Sequence, residues 1–111
     1  MDRIFERGLL YDFYGELLTP HQQKIYSGVV MEDMSLGELS EEEGISRQGI
    51  HDLIKRCDKI LEDYENKLHL IERFRNIRNT VDDMSDLIEN VDNDEIKKSL
   101  SADLIKITEE L

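Results

Sequence analysis

A chain of 111 residues, 39% of them hydrophobic, is long enough for one real core but not for two independent ones. Its 14 basic and 26 acidic side chains leave a formal charge of −12, which repels a polyanion such as DNA unless the cations are concentrated on one face. No apolar run approaches the roughly 18 residues of a membrane span, MDRIFERG lacks the apolar centre of a signal peptide, and one cysteine excludes an internal disulfide, so a cytoplasmic chain without membrane insertion is expected.

Period-two alternation is absent, Val, Ile and Thr never cluster as in strands, and there is a single proline, so the fold class is all-α. Residues 3–18 carry Ile4, Phe5, Leu9, Leu10, Phe13, Tyr14, Leu17 and Leu18 in a wide apolar band at helical spacing. Thr19, Pro20 and Gln22 then supply a cap, a proline at the first helical position and a glutamine at the third, which starts a second helix running to about Asp33 with Ile25, Tyr26, Val29 and Val30 inward. Ser35 with Glu38 forms a capping box, Leu36 and Leu39 give an apolar face, and Gly44 ends this short helix in the left-handed region. Ile45 plugs the turn and Ser46 caps the next helix, which completes a helix-turn-helix.

That next helix meets no stop signal for some thirty residues, and Ile50, Ile54, Cys57, Leu61, Tyr64, Leu68 and Ile71 alternate in steps of four and three. At about 1.5 Å per residue it would be roughly 45 Å long, more than a small helical head covers. Its second half needs a partner. The candidates are helices at about 80–91 and 93–110, the latter capped by Asp92 with Glu95, or the same helix of another copy, and dimerisation through the exposed remainder is expected. Asn79–Thr80 is the best boundary, dividing a helix-turn-helix domain, 1–79, from an acidic helical extension, 80–111, which packs on the long helix or on a partner.

Ser46, Arg47, Gln48, His51, Asp52, Lys55 and Arg56 are the candidate nucleic-acid-binding residues, because Ile50, Leu53 and Ile54 take the inward side. Arg47, Lys55 and Arg56 against Asp52 make the start of this helix locally positive, whereas residues 82–111 hold three basic and ten acidic groups. His21, His51 and His69 are widely separated, so no metal site is expected. Asp92, Asn93 and Asp94 resemble the start of a calcium loop, but Ile96 and Lys97 stand where oxygen ligands and glycine are required. With neither a glycine-rich phosphate loop nor a nucleophile–base pattern, no cofactor and no enzymatic activity are expected. Cys57, on an apolar stripe, reads as packing.

The stretch LTPHQQKIYSGVVMEDMSLGELSEEEGISRQGIHDLIKRCDKIL is similar to the DNA-binding region 4 of bacterial sigma factors. LLYDFYGELLTPHQQ and GISRQGIHDLIKRCDKILEDYENKLHL, with the length near 110, more closely resemble the YlxM family of helix-turn-helix proteins. The resemblance spans residues 9–75 and implies a sigma region 4-like bundle. Members are encoded beside the signal recognition particle GTPase and its receptor, which implies a regulatory part in protein targeting, with those two proteins as partners. Two residues depart from the pattern: Ser40 replaces the usual alanine between the packed helices, and Gly49 sits inside the recognition helix at a cost of about 1 kcal/mol relative to alanine, which reads either as a close backbone approach or as drift.

Two readings follow. In one, a regulator binds DNA, with Arg47, Gln48, His51 and Asp52 at base edges and Ser46, Lys55 and Arg56 at phosphates. In the other, an adaptor contacts the signal recognition particle RNA or its GTPases, using the basic helix and the acidic tail.

Overall fold

The computed structural model describes residues 3–111; Met1 and Asp2, which open the segment read for a signal peptide, lie outside them. Six helices follow in order: α1 Arg3–Tyr14, α2 Pro20–Val30, α3 Leu36–Glu43, α4 Arg47–Leu68, α5 Leu70–Glu89 and α6 Asp94–Glu109. The all-α class stands. The chain forms two compact units that divide between Ile71 and Glu72.

In the first unit the starts of the helices obey their local signals. Thr19 accepts from the Gln22 N–H while the Gln22 side chain accepts from the Thr19 N–H, and Ser35 and Glu38 do the same. These boxes aim α2 and α3 so that Ile25, Tyr26 and Leu39 join Leu10, Tyr14, Leu18, Ile50, Ile54, Cys57, Leu61 and Ile71 in one buried cluster. Gly28 lets α2 and α3 approach: a Cβ there would stand 3.1 Å from a Leu39 methyl and 3.3 Å from the Met34 sulfur.

Several expected boundaries move. The band over 3–18 is an α-helix only to Tyr14, after which Gly15–Leu17 tighten into a 3-10 turn, and Ile4, Phe5 and Leu17 are exposed. Helix α2 stops at Val30, before Asp33, which is left-handed at φ 55°. The uninterrupted helix through Ile71 is also corrected. Helix α4 ends at Leu68, His69 turns left-handed at φ 58°, and Leu68 is exposed although Ile71 is buried. Tertiary partners impose this break. The Tyr14 hydroxyl donates to Glu65 Oε1 at 2.5 Å and accepts the Leu70 N–H, while the same Glu65 oxygen accepts the Ile71 N–H at 2.9 Å. Two donors at the start of α5 are thereby satisfied by α1 and α4.

Because α5 begins at Leu70, the expected separate helix at 80–91 is the second half of α5, and Asn79–Thr80 lies inside a helix. In the second unit α6 is capped by Asn93, not Asp92: Asn93 Oδ1 accepts the N–H groups of Glu95 and Ile96 at 3.0 and 3.1 Å. The buried residues of this unit are Val81 and Ile88 of α5 and Leu104 of α6.

Candidate nucleic-acid interface

Helices α3 and α4 build the site around a closed turn. Gly44, left-handed at φ 66°, donates its N–H to the Ser40 carbonyl at 3.0 Å, and the Ile45 N–H reaches the same oxygen at 3.3 Å. The Ser40 hydroxyl, at the position where alanine is usual, donates to the Ile45 carbonyl at 2.5 Å. Ser46 Oγ then accepts the Gly49 N–H at 3.0 Å and starts α4. The close approach that Gly49 signalled comes from the turn itself: a Cβ at Gly49 would lie 2.6 Å from Ile45 Cγ2.

This phase buries Ile50 and Ile54, half-buries Leu53, and leaves Ser46, Arg47, Gln48, His51, Asp52, Lys55 and Arg56 exposed. By helical geometry Gln48, His51, Asp52 and Lys55 form the outermost ridge, with Arg47 and Arg56 on opposite flanks. The ridge is partly self-bonded. Gln48 Nε2 donates to Asp52 Oδ1 at 2.9 Å, and His51 Nδ1 stands 3.7 Å from that oxygen. The Arg47 guanidinium folds back over α3, where a Cβ on Gly37 would meet its Nη2 at 3.0 Å and its Cζ at 3.3 Å.

Most other cations of the first unit are paired. Arg3 and Arg7 reach Asp58, Lys24 reaches Glu42 and Glu43, and Lys59 reaches Asp63. Among the described residues no carboxylate pairs with Arg47, Lys55 or Arg56. The glutamates at the end of α3 are partly neutralised by Lys24, and His21 Nε2 lies 3.7 Å from Glu43 Oε1.

One residue that sequence reasoning passed over fixes the helix that carries this surface. Asp58, 3% exposed, takes Arg7 in a two-point contact at 2.9 and 2.7 Å, Arg3 at 3.0 Å and the Tyr26 hydroxyl at 2.7 Å. Burial alone would raise its carboxyl; the hydrogen bonds from Arg7 and Tyr26 and the charges of Arg7 and Arg3 outweigh it and hold the group below the usual carboxylate value. Burial and then the bond to Asp58 push the Tyr26 hydroxyl far up, and burial followed by the Asp58 charge pushes the Cys57 thiol up to about 11. Asp58 thus ties α1 and α2 to α4. The available signal was an aspartate four residues after Ile54, on the inward side of a helix that also carries Leu61 inward. The described residues contain no group of three or more His, Cys, Asp or Glu placed to hold a metal, and no helix long and apolar enough to cross a membrane.

A short helix, a glycine turn and a second helix with an exposed, cation-flanked ridge, backed by α1 and α2, define a helix-turn-helix protein. Residues 1–102 match the family model described as "UPF0122: Putative helix-turn-helix protein, YlxM / p13 like", and the chain belongs to that family. A UPF0122 protein of Thermoanaerobacter sp. strain X514 is 43% identical over 103 residues, covering 93% of this chain and 85% of the relative. One from Latilactobacillus sakei is 41% identical over 102 residues, covering 91% and 90%, and one from Halalkalibacterium halodurans is 35% identical over 111 residues, covering 100% and 95%.

Proposed function

We propose that this chain is a cytoplasmic regulator that binds nucleic acid through the exposed start of α4. The observation that carries the reading is that Arg47, Lys55 and Arg56 have no carboxylate partner among the described residues and stand beside a ridge of hydrogen-bonding side chains, in a chain whose overall charge is −12. In this reading Arg47, Gln48, His51 and Asp52 face base edges, while Ser46, Lys55 and Arg56 contact phosphates. A pair of copies would present two such helices to two half-sites. The family resemblance supports a place in the signal recognition particle pathway, with DNA or the particle's RNA as the nucleic acid and its GTPase and receptor as protein partners.

Fluorescence anisotropy against duplex DNA and against that RNA tests the assignment. With two cations, Lys55 and Arg56, at phosphates, the log–log salt slope is expected near about −2 per bound chain, and Lys55→Ala is expected to make it shallower by about one on every sequence. Binding unaffected by Lys55→Ala or by salt would rule out α4 as the contact. The second reading, an adaptor that binds protein, is favoured by one observation: Asp52 already occupies Gln48 and stands beside His51, so the ridge presents a carboxylate where a phosphate would approach. Failure to bind either nucleic acid, with retention of the targeting GTPase, would select it.

A further inference from the structure

The α5–α6 hairpin buries very little for its size. Val81, Ile88 and Leu104 make up its core, while Ile77, Met84 and Leu87 of α5 and Ile96, Leu100 and Ile107 of α6 remain exposed, Leu87 at 70% and Ile96 at 52%. These six are not scattered. On α5 the three lie to one side of the Val81–Ile88 line, and on α6 the three lie to the corresponding side of Leu104; in an antiparallel pair those sides coincide. The opposite side of the hairpin is a groove of mixed lining, where Asp82, Ser85, Ser101 and Thr108 stand beside Ile88 and Ile105. The first side is therefore a continuous apolar surface, whereas acidic and hydroxyl side chains interrupt the other.

We infer that the apolar side of the α5–α6 hairpin is covered by the same side of a second copy of this chain, forming a four-helix bundle about a two-fold axis. This deepens the two-copy part of the functional reading and is independent of the nucleic acid. Two observations select a second copy as the occupant. The first is charge. Residues 72–111 hold six basic and eleven acidic groups, but the positions flanking the apolar side are nearly balanced, Arg73 and Lys106 against Asp83, Asp103 and Glu110. The remaining negative charge points away from it. A face meant for a basic partner would carry the acids on its rim, whereas a self-complementary contact needs both signs there. The second is area. Six half-exposed side chains of this size leave roughly 300 Å² of apolar surface on one copy; doubled, and at the two-thirds apolar share of homodimer contacts, this approaches about 1,000 Å² in total, where specific interfaces begin.

Sedimentation equilibrium of the full chain tests this, with circular dichroism to check that each variant keeps its helices. Wild type is expected at twice the monomer mass at about 100 μM, and Leu87→Lys and Leu100→Lys are each expected to weaken association at least tenfold. Ile105→Lys, 59% exposed but on the other side, should leave the mass unchanged. A monomeric wild type at that concentration would overturn both the interface and the two-copy reading. A dimer that survives both lysines, or that Ile105→Lys disrupts equally, would overturn the interface alone.

Discussion

Gly49 costs α4 about 1 kcal/mol of helix propensity relative to alanine, yet alanine is the wrong residue there. Its Cβ would meet Ile45 Cγ2 at 2.6 Å, and Ile45 cannot withdraw freely because its carbonyl and N–H are both held by Ser40. Gly37 is the opposite case. The atoms that a Cβ would crowd there belong to the far end of the Arg47 side chain, which has solvent to move into. Gly49→Ala is therefore expected to destabilise the protein by about 1–3 kcal/mol in urea unfolding, the usual range for overpacking. In an Ile45→Ala background the penalty should largely vanish, because the 2.6 Å contact is gone and only Ser46 Oγ, at 3.2 Å, still crowds the new Cβ. Equal penalties in both backgrounds would refute the contact as the reason for glycine.

At the scale of elements, the junction of α4 and α5 depends on a clasp contributed by α1. The Tyr14 hydroxyl bridges Glu65 and the Leu70 N–H, and burial followed by the Glu65 hydrogen bond raises its pKa, which keeps it a donor. Tyr14→Phe keeps the ring but removes both bonds, and is expected to cost about 1–2 kcal/mol. The loss should be local: amide exchange at Leu70 and Ile71 should accelerate more than at Ile50 or Ile54, and uniform acceleration would argue against a clasp. This junction also marks where the sequence stopped being legible. The caps at Thr19, Ser35 and Ser46 are exchanges between residues three apart, so local pattern revealed them, and with them the helix-turn-helix and the outward phase of Arg47 through Arg56. The turn at His69 is set by a tyrosine more than fifty residues away, and a heptad rhythm running through Ile71 carries no trace of it. At the candidate site the Gln48–Asp52 bond is likewise one helical turn long, whereas the folding of Arg47 over Gly37 depends on how two helices meet.

For the molecule as a whole, stability against pH is governed by one buried group joining three helices and by its neighbours. Asp58 is ionised in the fold, bound by Arg3, Arg7 and Tyr26, and its carboxyl is held below the usual value. Its contribution is therefore fully present above about pH 4, the unfolded carboxylate range, and is lost as pH falls through the lower folded value. Cys57 and Tyr26 act in the opposite sense, since their folded values are raised. Their neutral forms are favoured by the fold, so their contribution is complete below the unfolded values and disappears as pH rises. For Cys57 that window opens at the ordinary thiol value and extends to about 11. The melting temperature is accordingly expected to be flat from about pH 5 to 8, to fall below pH 4 as the knot of α1, α2 and α4 protonates, and to fall again above pH 9. Cys57→Ala should lower the melting temperature throughout by opening a small cavity, and should also make the alkaline limb shallower while leaving the acid limb in place. An alkaline limb of unchanged slope in that variant would remove the thiol from the account and leave the buried tyrosines, Tyr26 and Tyr14, as its source. An unchanged acid limb in Asp58→Asn would mean that acid unfolding begins at other carboxylates and not at the residue on which the three helices converge.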